Sequence, residues 1–117
     1  MQTINIKRIY EAPAPEDGFR VLVDRVWPRG MTKEKAAIDL WDKGIAPSSE
    51  LRKWFNHEGT KWDAFQTKYR DELATKGDAL KQLLQASVGK PITLLYGAKD
   101  EQHNQAIVLR DFLKKAI

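Results

Sequence analysis

Two short apolar runs without polar alternation constrain the fold of this chain more than any other feature. The first, "VLV", occupies residues 21–23, and the second, "ITLLY", occupies residues 92–96. A strand with one face in water alternates apolar and polar side chains, whereas a strand covered on both faces does not. Because helices usually provide that cover, the two runs predict an α/β fold.

The rest of the chain supplies further strands and the covering helices. Residues 4–10 read as a strand, and residues 38–41 as a short one. Thr32 is predicted to cap a helical turn over residues 33–36, and Ser48 or Ser49 to cap a longer helix. Apolar side chains at helical spacing predict three more helices, after Thr60, after Gly77 and after Asp100. The predicted architecture for residues 1–117 is a single α/β domain, with a small mixed β-sheet packed against about four α-helices.

Composition narrows the classes of function. The chain has 117 residues, of which 42% are hydrophobic and 31% charged, as in an ordinary soluble domain. Its net charge of +4 favours anionic partners, but the basic residues are spread among acidic ones rather than clustered. With 0 cysteines there is no disulfide, thiolate nucleophile or Cys-ligated metal. No apolar run is long enough to cross a membrane, and residues 1–5 lack the apolar core of a signal peptide. We therefore expect a cytoplasmic protein.

Charged residues follow the first apolar run, where a buried strand ends. In "VLVDRVWPRG", Asp24 and Arg25 come directly after the strand, and Trp27 and Arg29 lie on the following loop. Ligands of open α/β sheets usually bind at such strand ends, and guanidinium groups bind phosphate or carboxylate with paired hydrogen bonds. The stretch predicts an anion site held by Arg25 and Arg29, with Asp24 orienting an arginine and Trp27 forming a wall. In the alternative interpretation, the arginines pair with Asp24, Asp39 or glutamates and stiffen the loop.

A second polar cluster follows the other buried strand. In "LLYGAKDEQHNQ", residues 94–105, the strand passes into a helix that is predicted to begin near Asp100. Tyr96, Lys99, His103 and Asn104 stand at this junction. The N–H groups and the dipole at a helix start would add to an anion site. The alternative is a helix capped by Asp100, with His103 on a face exposed to solvent.

The two histidines are the candidates for proton transfer. His57 lies in "WFNHEGTKW", between two predicted helices, and His103 lies at the strand-helix junction. A histidine titrates near neutral pH, so either could act as a general acid or base, although such residues more often bond a neighbouring carbonyl. The sequence contains no metal-ligand pattern, GxGxxG, Walker A or GxSxG motif, so no metal and no cofactor are expected, and a serine nucleophile is disfavoured.

Three stretches together resemble one known family. "RVLVDRVWPRG", "LRKWFNHEGTKWDAFQTKYRDEL" and "LLYGAKDEQHNQAIVLRDFL" are similar to the YeaO-like proteins, small bacterial proteins of a family of unknown function. The resemblance covers nearly the whole chain and implies a cytoplasmic, single-domain α/β protein, with no accepted catalytic residues to carry over. Longer relatives carry a Cys-His-Arg cluster at the start of the last helix. Here the corresponding run is His103-Asn104-Gln105, so a reactive thiol is not available.

The sequence therefore favours an α/β domain that binds a small anionic ligand, such as a nucleotide or another phosphorylated metabolite, at the strand ends. Any reaction would be acid–base chemistry or hydrolysis rather than covalent catalysis. The alternative is a non-catalytic module that binds nucleic acid or a protein partner; a membrane partner is not expected. Convergence of the two polar clusters requires the strands at 20–26 and 92–97 to be neighbours in the sheet. The sequence alone does not establish that adjacency, and it does not indicate the oligomeric state.

Overall fold

A four-stranded sheet forms the centre of the computed structural model, which describes residues 3–116. Its strand order is β1-β4-β2-β3. Val21 of β2 pairs with Leu94 of β4, so the two apolar runs are neighbours in the sheet and the required adjacency is confirmed. The strands are β1 Ile4–Arg8, β2 Phe19–Leu22, β3 Leu40–Trp41 and β4 Ile92–Tyr96.

The α/β prediction is confirmed, but the sheet is not mixed. Every pairing between the described strands is parallel.

The connection between β1 and β2, residues 9–18, is short for a parallel connection, which usually takes a dozen residues or more. This one holds only a 3-10 turn, Pro15–Asp17. An extended chain of that length still reaches roughly 30 Å, so it can return to the amino end of the sheet and leave room for β4 between the two strands.

In the described part of the chain, five helices cover the sheet, one more than expected, because the predicted turn after Thr32 forms a short helix of its own. Within residues 3–116, none of the five is long and apolar enough to cross a membrane. Their bounds are α1 Lys33–Ala36, α2 Ser49–Phe55, α3 Trp62–Ala74, α4 Gly77–Ala86 and α5 Gln105–Ala116.

Alternate strand residues enter two separate apolar clusters. Val21 and Leu94 belong to the larger cluster, which also contains the buried side chains of α2, α3, α4 and α5. Leu22 and Leu95 belong to a smaller one on the other face of the sheet, where Ala36 and the surrounding loops cover them. Both runs are therefore covered on both faces, as their lack of alternation predicted.

Of the two serines predicted as the cap of α2, Ser48 is the one that caps it. The Ser48 hydroxyl accepts a hydrogen bond from the Leu51 amide (3.1 Å) and donates one to Glu72 of α3 (2.6 Å). We expect Ser48→Ala to lower the free energy of unfolding by about 1–2 kcal/mol, since it loses a cap and a charge-assisted hydrogen bond. Ser49→Ala, at the neighbouring exposed position, is the matched control and should have little effect. Urea denaturation of both variants measures the difference, and equal losses would contradict the assignment of the cap to Ser48.

The start of the last helix differs from the prediction. Asp100 does not cap it: its carboxylate accepts hydrogen bonds from the amides of Gln102 and His103 within a turn, and α5 begins at Gln105. Instead, the side-chain oxygen of Asn104 accepts from the amide of Ile107 (3.2 Å). Residues 100–104 therefore do not supply the helix start that the anion site was expected to use.

Candidate functional site

A cavity of about 290 Å³ lies at the carboxyl edge of the sheet. It is bordered by residues that follow β1, β2 and β4, and by side chains of α2, α3 and the start of α5. Because all the strands are parallel, their carboxyl ends meet at this one edge, which is the usual place for a ligand in an α/β fold. Its charged and polar side chains are Tyr10, Asp24, Arg25, Arg29, Arg52, His57, His103, Asn104 and Gln105.

Asp24 ties the end of β2 to the end of β4. One carboxylate oxygen accepts a hydrogen bond from the Gly97 amide (2.9 Å), and the other accepts one from the side-chain amide of Gln105. A Cβ atom at position 97 would lie 2.9 Å from the carboxylate, so a side chain there would push the Asp24 carboxylate out of its present position. Burial raises the pKa of Asp24 to about 6, against the opposing effects of these two hydrogen bonds and the charge of Arg52.

Backbone carbonyls, not carboxylates, hold Arg25. Its Nε donates to the Pro47 carbonyl (2.9 Å) and its Nη2 to that of Ala46 (3.4 Å). The Lys76 ammonium also donates to the Ala46 carbonyl (3.3 Å). Arg25 therefore has a structural role, but not the ion-paired one that the alternative interpretation described.

The other two arginines of the cavity are exposed. Arg29 lies on the loop after β2, where its carbonyl accepts a hydrogen bond from the Tyr10 hydroxyl (2.8 Å). Arg52 projects from α2. Within residues 3–116, Arg25, Arg29 and Arg52 form no ion pair with a carboxylate. The three guanidinium groups therefore add positive charge to a cavity whose carboxyl group, that of Asp24, is already bonded to N–H donors.

Arg52 and Gln105 were not predicted from the sequence. Arg52 comes one residue after the buried Leu51 and one turn before the buried Phe55, so it borders the inward face of α2. This position on the helix is the sequence feature that could have indicated Arg52 as a cavity residue. Gln105 lies in the quoted run His103-Asn104-Gln105, but nothing in that run indicates that its amide reaches back to Asp24.

Both histidines line the cavity. His57 is exposed and has a positive φ of 56°, as does Asn56 before it at 47°. His103 bonds through Nδ1 to the Asp100 carboxylate (2.9 Å), and its ring meets that of Trp62 edge-on with centroids 5.2 Å apart. The hydrogen bonds from the Gln102 amide and from His103 lower the pKa of Asp100. The roles of both histidines in proton transfer stay predictions.

The structure does not bring Trp27, Tyr96 or Lys99 into the cavity. The Trp27 side chain packs against the smaller apolar cluster, with its Nε1 donating to the Met31 carbonyl (2.7 Å). Tyr96 is 3% exposed within the larger cluster, and Lys99 is exposed outside the cavity lining. Of the predicted ligand-binding residues, the cavity contains Asp24, Arg25, Arg29, His103 and Asn104.

Comparison with known proteins places the chain in a family. The model of a family described as "Inactive DUF488-N3 subclade" matches residues 3–117. Uncharacterized protein YeaO of Escherichia coli K12 is 45% identical over 111 residues, covering 95% of this chain and 96% of that protein. Uncharacterized protein Rv3073c of Mycobacterium tuberculosis H37Rv is 40% identical over 92 residues, covering 77% of this chain and 78% of that one. No solved structure matches significantly. The predicted resemblance is confirmed: the chain belongs to the YeaO-like family, within the inactive DUF488-N3 subclade.

Proposed function

We propose that this protein binds a small anionic ligand, a nucleotide or another phosphorylated metabolite, in the cavity at the strand ends. The observation that carries the proposal is the set of three arginines, Arg25, Arg29 and Arg52, around one cavity without carboxylate partners among the described residues. A phosphate group would supply the missing partner, since each guanidinium can give it two parallel hydrogen bonds.

The size and walls of the cavity support a small ligand. Its volume of about 290 Å³ is close to the lower end of the range for ligand pockets. The rings of Tyr10, Phe55 and Phe65 line it beside the charged groups. A ligand that combines an anionic group with a compact apolar or ring portion matches both kinds of wall.

The anchoring of Arg25 supports binding further. Its hydrogen bonds to Pro47 and Ala46 fix the guanidinium before any ligand arrives. A ligand then loses less free energy to ordering of side chains, which is the usual benefit of a preorganised site.

Binding without turnover agrees best with the family. Its description calls the subclade inactive, and the run His103-Asn104-Gln105 holds no thiol. The proposal therefore gives His57 and His103 the role of pocket walls that can donate hydrogen bonds. It also places the protein in the bacterial cytoplasm, in keeping with its bacterial relatives.

A matched pair of double variants tests the proposal. Arg29→Gln/Arg52→Gln removes two exposed charges of the cavity, whereas Lys33→Gln/Lys53→Gln removes two exposed charges outside it. We expect phosphate, sulfate, a nucleotide or a sugar phosphate to raise the melting temperature of the wild type. Affinity measured by titration calorimetry should fall at least tenfold in the arginine variant and stay unchanged in the lysine variant.

Two results would contradict the proposal. One is the absence of a shift with every small anion at 10 mM. The other is a shift only with oligonucleotides that disappears as salt is added, because steep salt dependence marks contacts with a nucleic-acid backbone. That second result would favour the nucleic-acid-binding alternative.

A further inference from the structure

We propose that Asp24 takes up a proton when the ligand binds, so that the cavity accepts a dianion and a proton together. The inference rests on the proposed function and deepens it, since it identifies what neutralises the one unfavourable group of the site. Among the described residues that line the cavity, Asp24 is the only one with a carboxyl group. An anion held by the arginines would therefore meet a single negative charge, and that charge can be removed by protonation.

The charged groups around Asp24 explain why an anion would still enter. Arg25 and Arg29 approach from the loop after β2, and Arg52 from α2; His57, after α2, and His103, before α5, also line the cavity. With Asp24 ionised, these arginines already have a counter-charge in the cavity. With Asp24 neutral, the full charge of the arginines is available to the ligand, so protonation and anion binding favour each other.

Tyr69 of α3 interacts electrostatically with Asp24 but adds no charge of its own. Tyr69 of α3 is fully buried, and its hydroxyl donates to the carbonyl of Ile45. Burial, followed by the negative charges of Glu72, Asp42 and Asp24, raises the pKa of Tyr69 well above its ordinary value, so it stays neutral. Tyr69 therefore adds no negative charge that would oppose an incoming anion.

Asp24 is already near the point of protonation in the free protein. Burial raises the pKa of its carboxyl to about 6 although Arg52 and two N–H donors oppose the change. A second negative charge within a few ångströms disfavours the carboxylate further, and such like-charge pairs commonly shift a pKa by more than one unit. A bound dianion would then bring the pKa of Asp24 above neutral pH, and the proton would come from water.

Gln105 suits both protonation states of Asp24. In the ionised state, its NH₂ group donates to one carboxylate oxygen. After protonation, rotation of the amide by half a turn presents its oxygen, which can accept the new O–H. The Gly97 amide keeps its bond to the other oxygen in either state. Both oxygens of Asp24 therefore keep a hydrogen-bond partner after protonation.

Sulfate is the probe for the test, because its charge does not change between pH 6 and pH 8, unlike that of phosphate. We expect calorimetric titration of the wild type to give at least tenfold tighter sulfate binding at pH 6 than at pH 8. Titrations at pH 7 in buffers of different ionisation enthalpy should show net uptake of about half a proton or more per sulfate, since pH 7 lies above the pKa of the free carboxyl and below that of the bound one. Asp24→Asn mimics the protonated carboxyl and keeps its shape. It should bind sulfate about equally at both pH values, with an affinity close to that of the wild type at pH 6.

The variant His57→Gln/His103→Gln is measured in parallel, so that any contribution of the two cavity histidines to the pH dependence is separated from that of Asp24. The inference stands if Asp24→Asn loses the larger part of the pH dependence, and is overturned if the histidine variant loses it. Sulfate binding that does not depend on pH would overturn the inference and leave the proposed function intact. Absence of sulfate binding up to 50 mM at either pH would contradict both.

Discussion

Replacing Arg20 by methionine should lower the free energy of unfolding by about 3–5 kcal/mol, because it breaks a buried ion pair and leaves several polar groups without partners. Arg20 is 5% exposed. Its guanidinium pairs with Asp17, and it also donates to the carbonyls of Ala37 (3.0 Å) and Ala36 (2.7 Å). These bonds connect β2 to the turn before it and to the end of α1.

The loss of Arg20 would act mainly through Asp17. Burial alone would raise the pKa of Asp17, but the hydrogen bonds from the Ala14 amide, Lys7 and Arg20 outweigh it, and the pKa lies below its ordinary value. Asp17 therefore stabilises the fold as a carboxylate, and this stability is lost as the pH falls through its lowered pKa. Without Arg20, a nearly buried carboxylate would keep only Lys7 (3.2 Å) as a charged partner.

Lys7→Met is the control for this prediction. Lys7 bonds to the same carboxylate, but its side chain is 19% exposed and Arg20 remains in place. We expect a loss of about 1 kcal/mol or less. Guanidinium chloride denaturation at pH 7 compares the two variants, and an equal loss in both would show that the network does not depend on Arg20.

Replacing Asp24 by asparagine should stabilise the free protein at pH 8. The folded-state pKa of Asp24 is about 6, against 3.8 for an ordinary aspartate, so folding disfavours its ionised form. The stability associated with the neutral carboxyl is fully present below about pH 4 and is lost as the pH rises through 6. The whole shift corresponds to about 3 kcal/mol, which is the upper limit for the gain at pH 8.

The way this gain in stability changes with pH identifies its cause. The difference in unfolding free energy between Asp24→Asn and the wild type should shrink as the pH falls from 8 to 4, because the wild-type carboxyl becomes neutral. Asp71→Asn, an exposed substitution on α3, should have little effect at either pH. A constant difference for Asp24→Asn would mean that hydrogen bonding or packing, rather than ionisation, distinguishes the variant. A less stable variant at pH 8 would contradict the prediction.

Features that depend on a few neighbouring residues could be predicted from the sequence. The lack of alternation in residues 21–23 and 92–96 identified two central strands, and Thr32 caps α1 through the Lys35 amide as predicted. Charged residues directly after a buried strand, Asp24 and Arg25, do reach the cavity. In each case the signal and the structure it determines lie within a few residues of each other.

Features that depend on distant contacts could not be predicted in this way. The direction of β1 relative to the other strands depends on how residues 9–18 cross the sheet, and no local pattern specifies that path. Trp27 was expected to form a wall of the cavity, but the loop turns it toward Trp41 on the opposite face, where the ring centroids are 5.2 Å apart. The bond between Asp24 and Gln105 spans most of the chain, so neither residue's neighbours indicate it.

The length of β3 has a consequence for how this protein behaves beside copies of itself. Leu40–Trp41 forms one edge of the sheet, and so short a strand presents few unpaired backbone groups to an incoming chain. The opposite edge, β1, is longer but carries Arg8, which bonds to the carbonyl of Ala98 and, among the described residues, not to a carboxylate, so that its charge repels a second copy of the same strand. We therefore expect neither edge to recruit further strands, so that the native protein resists edge-to-edge aggregation even when it is concentrated.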